Sequence, residues 1–253
     1  MAQSDIEWTE VTWNPVTGCN KISPGCKYCY AEVMSKRLKA MGIDKYKDGF
    51  TIKTHSDALN TPYAWKKPKV VFVNSMSDLF HPDVSIDFIK AVFAVMNSTP
   101  RHTYQVLTKR SERLLELSAE LNWTDNIWMG VSVENEKYSY RIKELSKTPA
   151  KTKFLSVEPL IAPVKTLPLD KIDWVIVGGE SGHKARPIKK DWIESIRKKC
   201  EDGNVAFFFK QWGKAKFNVN PQDPTIESNH PKHAKGGCEL DGKIYRQMPS
   251  KAA

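Results

Sequence analysis

Long apolar runs are missing: no stretch approaches the roughly 18 residues a helix needs to cross a bilayer, so a spanning segment is excluded and a soluble protein is expected. No secretory leader is expected from Met1–Glu10, which is polar and acidic instead of basic and then apolar. Disulfide pairing has little to work with, since the cysteines number five, an odd count, and three of them crowd into one loop. These absences point to a reducing cytoplasm. Acidic residues are in deficit, 29 against 39 Lys and Arg, for a net charge of +10 and a pI near 9.2. That excess favours an anionic partner, nucleic acid first, against the plainer reading of a solvated lysine surface.

What is present is a repeating pattern of strand and helix. At 253 residues and 40% hydrophobic, the chain can fill one large α/β barrel or two small domains. Ile6 to Thr17 alternates aromatic or β-branched residues with polar ones, as a first strand ended by Asn14-Pro15. A loop with Gly18 and Ser23-Pro24-Gly25 follows, then a helix over Lys27 to Met41 and an irregular insertion at about 43–68. Val70–Val73, Tyr104–Leu107, Ile127–Val131, Lys153–Val157, Trp174–Val177 and Ala206–Phe209 read as six further strands. Between them, helices are expected over Ser85 to Asn97 (capped by Asp83 or Ser85), after a Ser111 cap, over Glu136 to Lys147 and over Asp191 to Glu201. On the last of these Trp192, Ile193, Ile196 and Cys200 should face inward. Pro159, Pro163 and Pro168 exclude a regular helix in one crossover. Asp241-Gly242 signals a hairpin within Cys238 to Tyr245.

Seven strands in this order predict an α/β fold: a partial or complete TIM-like (β/α) barrel with six to seven parallel strands and an irregular C-terminal appendage. A doubly wound open sheet is the alternative. The expected domains are 1–213, a β/α barrel carrying the 43–68 insertion, and 214–253, an irregular basic extension packed on it. Polar residues end nearly every strand, which puts the site at those ends.

The sharpest signal is Cys19, Cys26 and Cys29, spaced C-x6-C-x2-C between the first strand and the first helix. Thiolates are soft ligands suited to an iron–sulfur cluster or zinc, and three of them leave one coordination position open. Zinc sites more often show paired C-x2-C elements; here the fourth ligand would have to be His55, Cys200 or Cys238.

The loop following the first strand of such a barrel resembles the radical S-adenosylmethionine (radical SAM) superfamily, in which three cysteines hold a 4Fe-4S cluster whose fourth iron is chelated by S-adenosylmethionine. An aromatic residue precedes the last cysteine in that superfamily, and Tyr28 stands there in this chain. More narrowly, Trp13-Asn14-Pro15-x-x-Gly18-Cys19, Gly25-Cys26-x-x-Cys29-Tyr30-Ala31-Glu32, Ser75-Met76-Ser77-Asp78-Leu79-Phe80, Gly178-Gly179-Glu180-Ser181-Gly182 and Lys210-Gln211-Trp212-Gly213 resemble a phage-associated, largely uncharacterised radical-SAM-like family. The likeness runs over Ile6 to Gly213 and Gly236 to Pro249. It departs from the superfamily in two places: the usual spacing is C-x3-C-x2-C, and Gly-Gly-Glu usually follows the second strand instead of the sixth.

The resemblance implies an enzyme in which the reduced cluster cleaves S-adenosylmethionine to a 5′-deoxyadenosyl radical that takes hydrogen from a substrate. It also implies an electron donor, a reductase or a flavodoxin- or ferredoxin-type protein. The positions of polar groups then suggest roles. Ser75, Ser77 and Asp78 would accept from the methionine ammonium, Lys109 would pair with its carboxylate, and Ser132 and Glu134 would meet the ribose hydroxyls. Glu158, Glu180 and Lys210 are catalytic candidates on the substrate side, with Lys184, Arg186, Gln211 and Trp212 as substrate contacts. Gly178-Gly179 with Ser181-Gly182 reads either as a phosphate-binding backbone nest or as a tight turn. Lys184, Arg186, Lys189, Lys190, Lys214 and Lys216, with Trp212 and Phe217 to stack a base, favour DNA, RNA or a nucleotide as substrate, hence DNA repair or modification. The competing reading is a non-catalytic zinc or iron–sulfur protein that binds nucleic acid; three unligated, buried cysteines is the blandest one.

Overall fold

The computed structural model describes residues 6–220 and 234–249. Asn14-Pro15 cuts the expected first strand in two. Val11–Trp13 (β1) joins the main sheet, whereas Val16–Thr17 (β2) leaves it to pair antiparallel with Lys53–Thr54 (β3) from inside the insertion. The remaining main strands are Val70–Val73 (β4), Thr103–Thr108 (β5), Ile127–Ser132 (β6), Thr152–Val157 (β7), Trp174–Gly178 (β8) and Ala206–Gln211 (β9). Their order in the sheet is β1-β4-β5-β6-β7-β8-β9, with parallel pairing from β1 through β6 and from β7 through β9. This is the α/β, partial TIM-like class; no pairing joins β9 back to β1 among the described residues. No helix among them is long and apolar enough to cross a membrane.

The chain forms two compact units: the described residues up to Val131 together with Lys147–Thr152, and Ser132–Ser146 together with the described residues from Lys153 onward. In the first unit, Tyr30–Ala40 (α1) starts three residues later than the periodicity suggests, because Pro24–Cys26 takes a 3-10 turn and Cys29 stays extended as the N-cap. Ile86–Ser98 (α2) is capped by the Ser85 hydroxyl, which accepts from Phe88 N at 3.3 Å. It buries Ile89, Val92, Phe93, Val95 and Met96, each worth about 1.5–3 kcal/mol when removed from water. Ser111–Leu117 (α3) corrects the expected cap: Arg110 is the N-cap and Ser111 is buried inside the first turn, its hydroxyl without a partner among the described residues.

In the second unit, the expected helix over Glu136 to Lys147 is a 3-10 turn, Glu136–Tyr138, followed by Tyr140–Ser146 (α4). The proline-rich crossover between β7 and β8 carries no helix, as expected. Lys190–Asp202 (α5) buries Ile193, Ile196 and Cys200; Trp192 is half-buried. Burial pushes the Cys200 thiol up to about 12, which marks it as core. Every residue of β8 is buried, as continuous apolar strands in parallel sheets require. The hairpin forms as Glu239–Leu240 (β10) and Lys243–Ile244 (β11), with Asp241 at φ 52° and Gly242 at φ 72° in the turn. Beyond it the chain runs antiparallel along β9: Phe209 N donates to Tyr245 O at 3.0 Å and Gln247 N to Phe207 O at 3.1 Å. Residues 221–233 and 250–253 of the expected C-terminal extension lie outside the described residues.

Candidate functional site

In the first unit the cysteine loop is clamped from both sides. The 43–68 insertion holds the residues leading into it. Trp13 Nε1 donates to Ala58 O at 2.8 Å, Lys45 Nζ to Asn14 O at 2.6 Å, His55 N to Pro15 O at 2.8 Å and Cys19 N to Phe50 O at 3.1 Å. The buried His55 ring nitrogen Nε2 pairs with Thr17 Oγ1 at 2.8 Å. Gly18 sits at φ +82°, and a Cβ there would lie 2.1 Å from Thr51 O, so only glycine fits between the loop and the insertion.

The end of β4 holds the other side. Asn14 Oδ1 accepts from Met76 N at 3.1 Å and Ser75 Oγ at 3.2 Å, Ser77 Oγ donates to Val16 O at 2.8 Å, and the Tyr30 hydroxyl donates to Ser75 O. Ser75 and Ser77 therefore tie the loop to the strand end, keeping their lone pairs as acceptors.

Asp78 is the hub of this region. Its Oδ1 accepts from Thr108 Oγ1 at 2.7 Å and Phe80 N at 3.0 Å; Oδ2 accepts from Lys109 N at 3.1 Å and Arg110 Nη1 at 3.4 Å. Asp78, expected from sequence to accept from the methionine ammonium, thus has four donors on its carboxylate in this structure. It positions Lys109 and Arg110. Arg110 in turn donates through Nη2 to Asn20 Oδ1, inside the cysteine loop.

Electrostatically the three thiols are a unit. Burial, the Asp78 charge and the neighbouring Cys26 and Cys29 thiols push Cys19 up to about 12, with Arg110 opposing. Burial works against Cys26 as well, but Lys109 and hydrogen bonds at Ile22 and Ser23 outweigh it and lower that thiol below its ordinary value. Cys19 Sγ donates to Asn20 O at 3.4 Å and Cys26 Sγ lies 3.6 Å from Ser23 Oγ. No group of three or more His, Cys, Asp or Glu side chains is already arranged around one point among the described residues. The donor set nevertheless fits a metal group: three half-buried thiols share one loop, and a bound cation favours the thiolate form that burial opposes at Cys19. Tyr28, half-buried, has the Lys27 ammonium 5.3 Å from its ring centre.

The second unit presents three acid–base pairs after its strands. Glu134 is fully buried and paired at 3.0 Å with Arg141, which also donates to Ser132 O at 2.8 Å and lies 4.3 Å above the Tyr138 ring. Glu134, expected from sequence at the ribose hydroxyls, is thus paired with a cation of its own unit. Glu180 takes a fork from Arg186: Nη2 to Oε1 at 2.6 Å, Nε to Oε2 at 2.9 Å, with Arg186 N adding 3.0 Å. Glu158 and Lys210 pair at 3.2 Å, both mostly buried.

Gly178 and Gly179 exist for close approach. A Cβ on Gly178 would lie 2.3 Å from Glu158 Oε1, and one on Gly179 would lie 2.1 Å from Trp212 O. Gly179 N already donates to Gln211 O at 2.8 Å while Gln211 Nε2 returns a bond to Gly179 O at 3.0 Å, so the phosphate nest is corrected to a packed turn. Trp212 is fully buried with its indole N–H on Glu239 O at 2.8 Å; its ring belongs to the core and does not stack a base. Lys210 and Gln211 are the last residues of β9, not a loop beyond it, while Lys184 is exposed after β8. Of the alternative zinc ligands, His55 is committed to Thr17, and Cys200 and Cys238 are buried in the second unit.

Sequence reasoning missed Asn14, Asn20, Arg110 and Arg141. Asn14 read as a strand breaker and Arg110 as one of several polar residues after a strand; nothing in spacing marks Arg141 as the partner of Glu134.

A family model described as "Protein of unknown function (DUF5131)" matches residues 3–249. No curated protein matches. A solved structure, "Spore photoproduct lyase complexed with dinucleoside spore photoproduct", is similar with a TM-score of 0.46 at 14% identity, covering 78% of this chain and 62% of that one. The chain thus spans less than two thirds of that protein's length. Matched over nearly all its residues, the chain belongs to the family described as proteins of unknown function, DUF5131.

Proposed function

We propose that this protein is a radical SAM enzyme in which Cys19, Cys26 and Cys29 hold a 4Fe-4S cluster. One observation carries the reading: three half-buried thiols share a loop at the end of the first strand, locked in place by Gly18, Asn14 and Arg110. Bound together, the cluster and S-adenosylmethionine would supply a one-electron reductive cleavage and a radical for hydrogen abstraction. The chain's own groups do the rest. Tyr28 is the loop's own aromatic residue, directly before the last cysteine. Lys109, aimed by the bond from its N–H to Asp78, is the cation for a ligand carboxylate. Ser75 and Ser77 keep acceptor lone pairs for an ammonium.

On the substrate side, Glu158 and Lys210 are the proton-handling pair, and Arg186 is held by Glu180 for orientation. The preferred substrate is a nucleic acid or nucleotide. The net charge of +10 and the exposed Lys184, Lys189 and Lys216 support it.

The test is anaerobic purification, reconstitution with iron and sulfide, reduction and addition of S-adenosylmethionine. Release of 5′-deoxyadenosine is the expected result; a fully loaded, reduced protein that makes none overturns the proposal. A colourless protein with one zinc per chain would instead select the zinc-binding alternative.

A further inference from the structure

Exposed apolar side chains are not spread evenly over this molecule. Among the described residues eleven large hydrophobics are exposed, and six of them, Ile22, Tyr30, Val33, Met34, Met41 and Ile43, fall within the cysteine loop, α1 and the turn that follows. On α1 the spacing 30, 33, 34, 37, 41 puts Tyr30 (56% exposed), Val33 (68%), Met34 and Met41 (63%) on one face with Arg37. The opposite face carries the buried Ala31 and Ser35. The large apolar side chains of the helix therefore stand on its exposed face, which a helix facing water there does not need.

Charge says what fits this face. Residues 21–43 hold five cations, Lys21, Lys27, Lys36, Arg37 and Lys39, against one carboxylate, Glu32. Glu32 is already shared by Lys21 at 2.8 Å and Lys36 at 2.9 Å. Lys27, Arg37 and Lys39 have no ion-pair partner among the described residues. An apolar centre with an unpaired cationic rim matches an acidic protein. A second copy of the chain would bring the same positive rim against itself and be repelled.

We infer that α1 and the cysteine loop form the docking surface for an acidic protein partner. Cys29 is the N-cap of the helix and Tyr30 its first residue, so a protein seated here lies directly beside the thiols. The partner's role rests on the proposed function: the reaction needs one electron from outside the chain, and an acidic one-electron carrier is the class that supplies it. The carrier loses one electron, the iron–sulfur group gains it, and no bond between the two proteins forms or breaks.

The probe is a purified flavodoxin, an acidic carrier, with a basic cytochrome c as the sign control. The full-length protein should bind the flavodoxin, lose about tenfold in affinity on going from low salt to about 0.3 M, and ignore the cytochrome. Val33→Glu/Met41→Glu should weaken binding at least about tenfold, and Arg37→Glu/Lys39→Glu should weaken it and flatten the salt dependence. All four positions are exposed, so the thermal midpoint should stay at the wild-type value. Equal affinity for wild type and both variants overturns the inference. So does self-association of the wild type that Val33→Glu/Met41→Glu abolishes, because the face then belongs to a second copy. The two readings fail separately. A dithionite-reduced protein that makes no 5′-deoxyadenosine sinks the proposed function while the binding measurements still judge the surface. Equal flavodoxin-driven turnover in wild type and variants, with dithionite-driven turnover intact, sinks the surface alone.

Discussion

Both units place carboxylates where parallel strands end, but they neutralise them differently. In the second unit each has a dedicated cation from the same unit: Glu134 with Arg141, Glu158 with Lys210, Glu180 with Arg186. In the first unit Asp78 draws mainly on neutral donors, and Arg110 reaches it at 3.4 Å while also donating to Asn20 of the cysteine loop. Three thiols sit nearby, one of them pushed up to about 12 in part by Asp78 itself. The second unit is electrostatically closed and the first is not.

The largest effect should come from opening the closed unit. Arg141→Met takes the Arg141 cation from the buried Glu134 carboxylate, a loss of about 3–5 kcal/mol, whereas the double change Glu134→Gln/Arg141→Met should recover much of it. Urea unfolding of the three proteins measures both. Equal stability of the single and double variants would mean that charge is not what the pair manages.

Next comes the clamp on the first unit. Gly18→Ala puts a methyl against Thr51 O in a left-handed conformation, for about 2–4 kcal/mol. If the loop is a metal site, the iron retained per chain after reconstitution should fall with it. Asp78→Asn removes the charge in four hydrogen bonds and should lose about 1.5–3 kcal/mol, with Thr108→Val losing less.

Acid should separate the units further. Burial lowers His55, His81 and His102 below the ordinary 6.5, and all three lie in the first unit. The unfolded chain then takes up protons that the folded chain refuses, so their contribution is present above 6.5 and lost as pH falls through it. The one histidine described in the second unit, His183, is exposed. Amide exchange at about pH 7.5 and 5.5 should show protection falling faster in the first unit. A smaller effect than Arg141→Met is expected for Lys210→Gln, about 1–3 kcal/mol, because the mostly buried pair keeps some contact with water and Gln can still donate to Glu158; a loss of turnover in protein that remains folded would report chemistry and not stability.

Much of the architecture was legible because its signals are local. Val70–Val73 and Trp174–Val177 are unbroken apolar runs, Ser85 caps a periodic helix and Asp241-Gly242 names its turn; each is decided by a few neighbouring residues. The first strand misled because Val16 and Thr17 keep the β alternation after Asn14-Pro15 turns the chain away, and alternation does not say which partner a strand will take. The cysteine loop stood out through thiol chemistry, which has few other uses in a polar segment. Its clamp did not, since Asn14, Asn20 and Arg110 act across 62 to 90 residues of sequence and carry no periodic mark. Trp212 misled for the converse reason: aromatic residues near lysines suit a base or a core equally, and only packing separates the two.

The strip of chain that runs beside β9 has a consequence for synthesis. Phe207 and Phe209 find their outer hydrogen-bond partners only in residues 245 and 247, and Trp174 donates its indole N–H to Gln247 O at 2.9 Å. Translation delivers β9 more than thirty residues before that cover, so a nascent chain leaves the ribosome with an apolar strand edge unsealed. During that interval the growing protein is open to pairing with any other strand it meets.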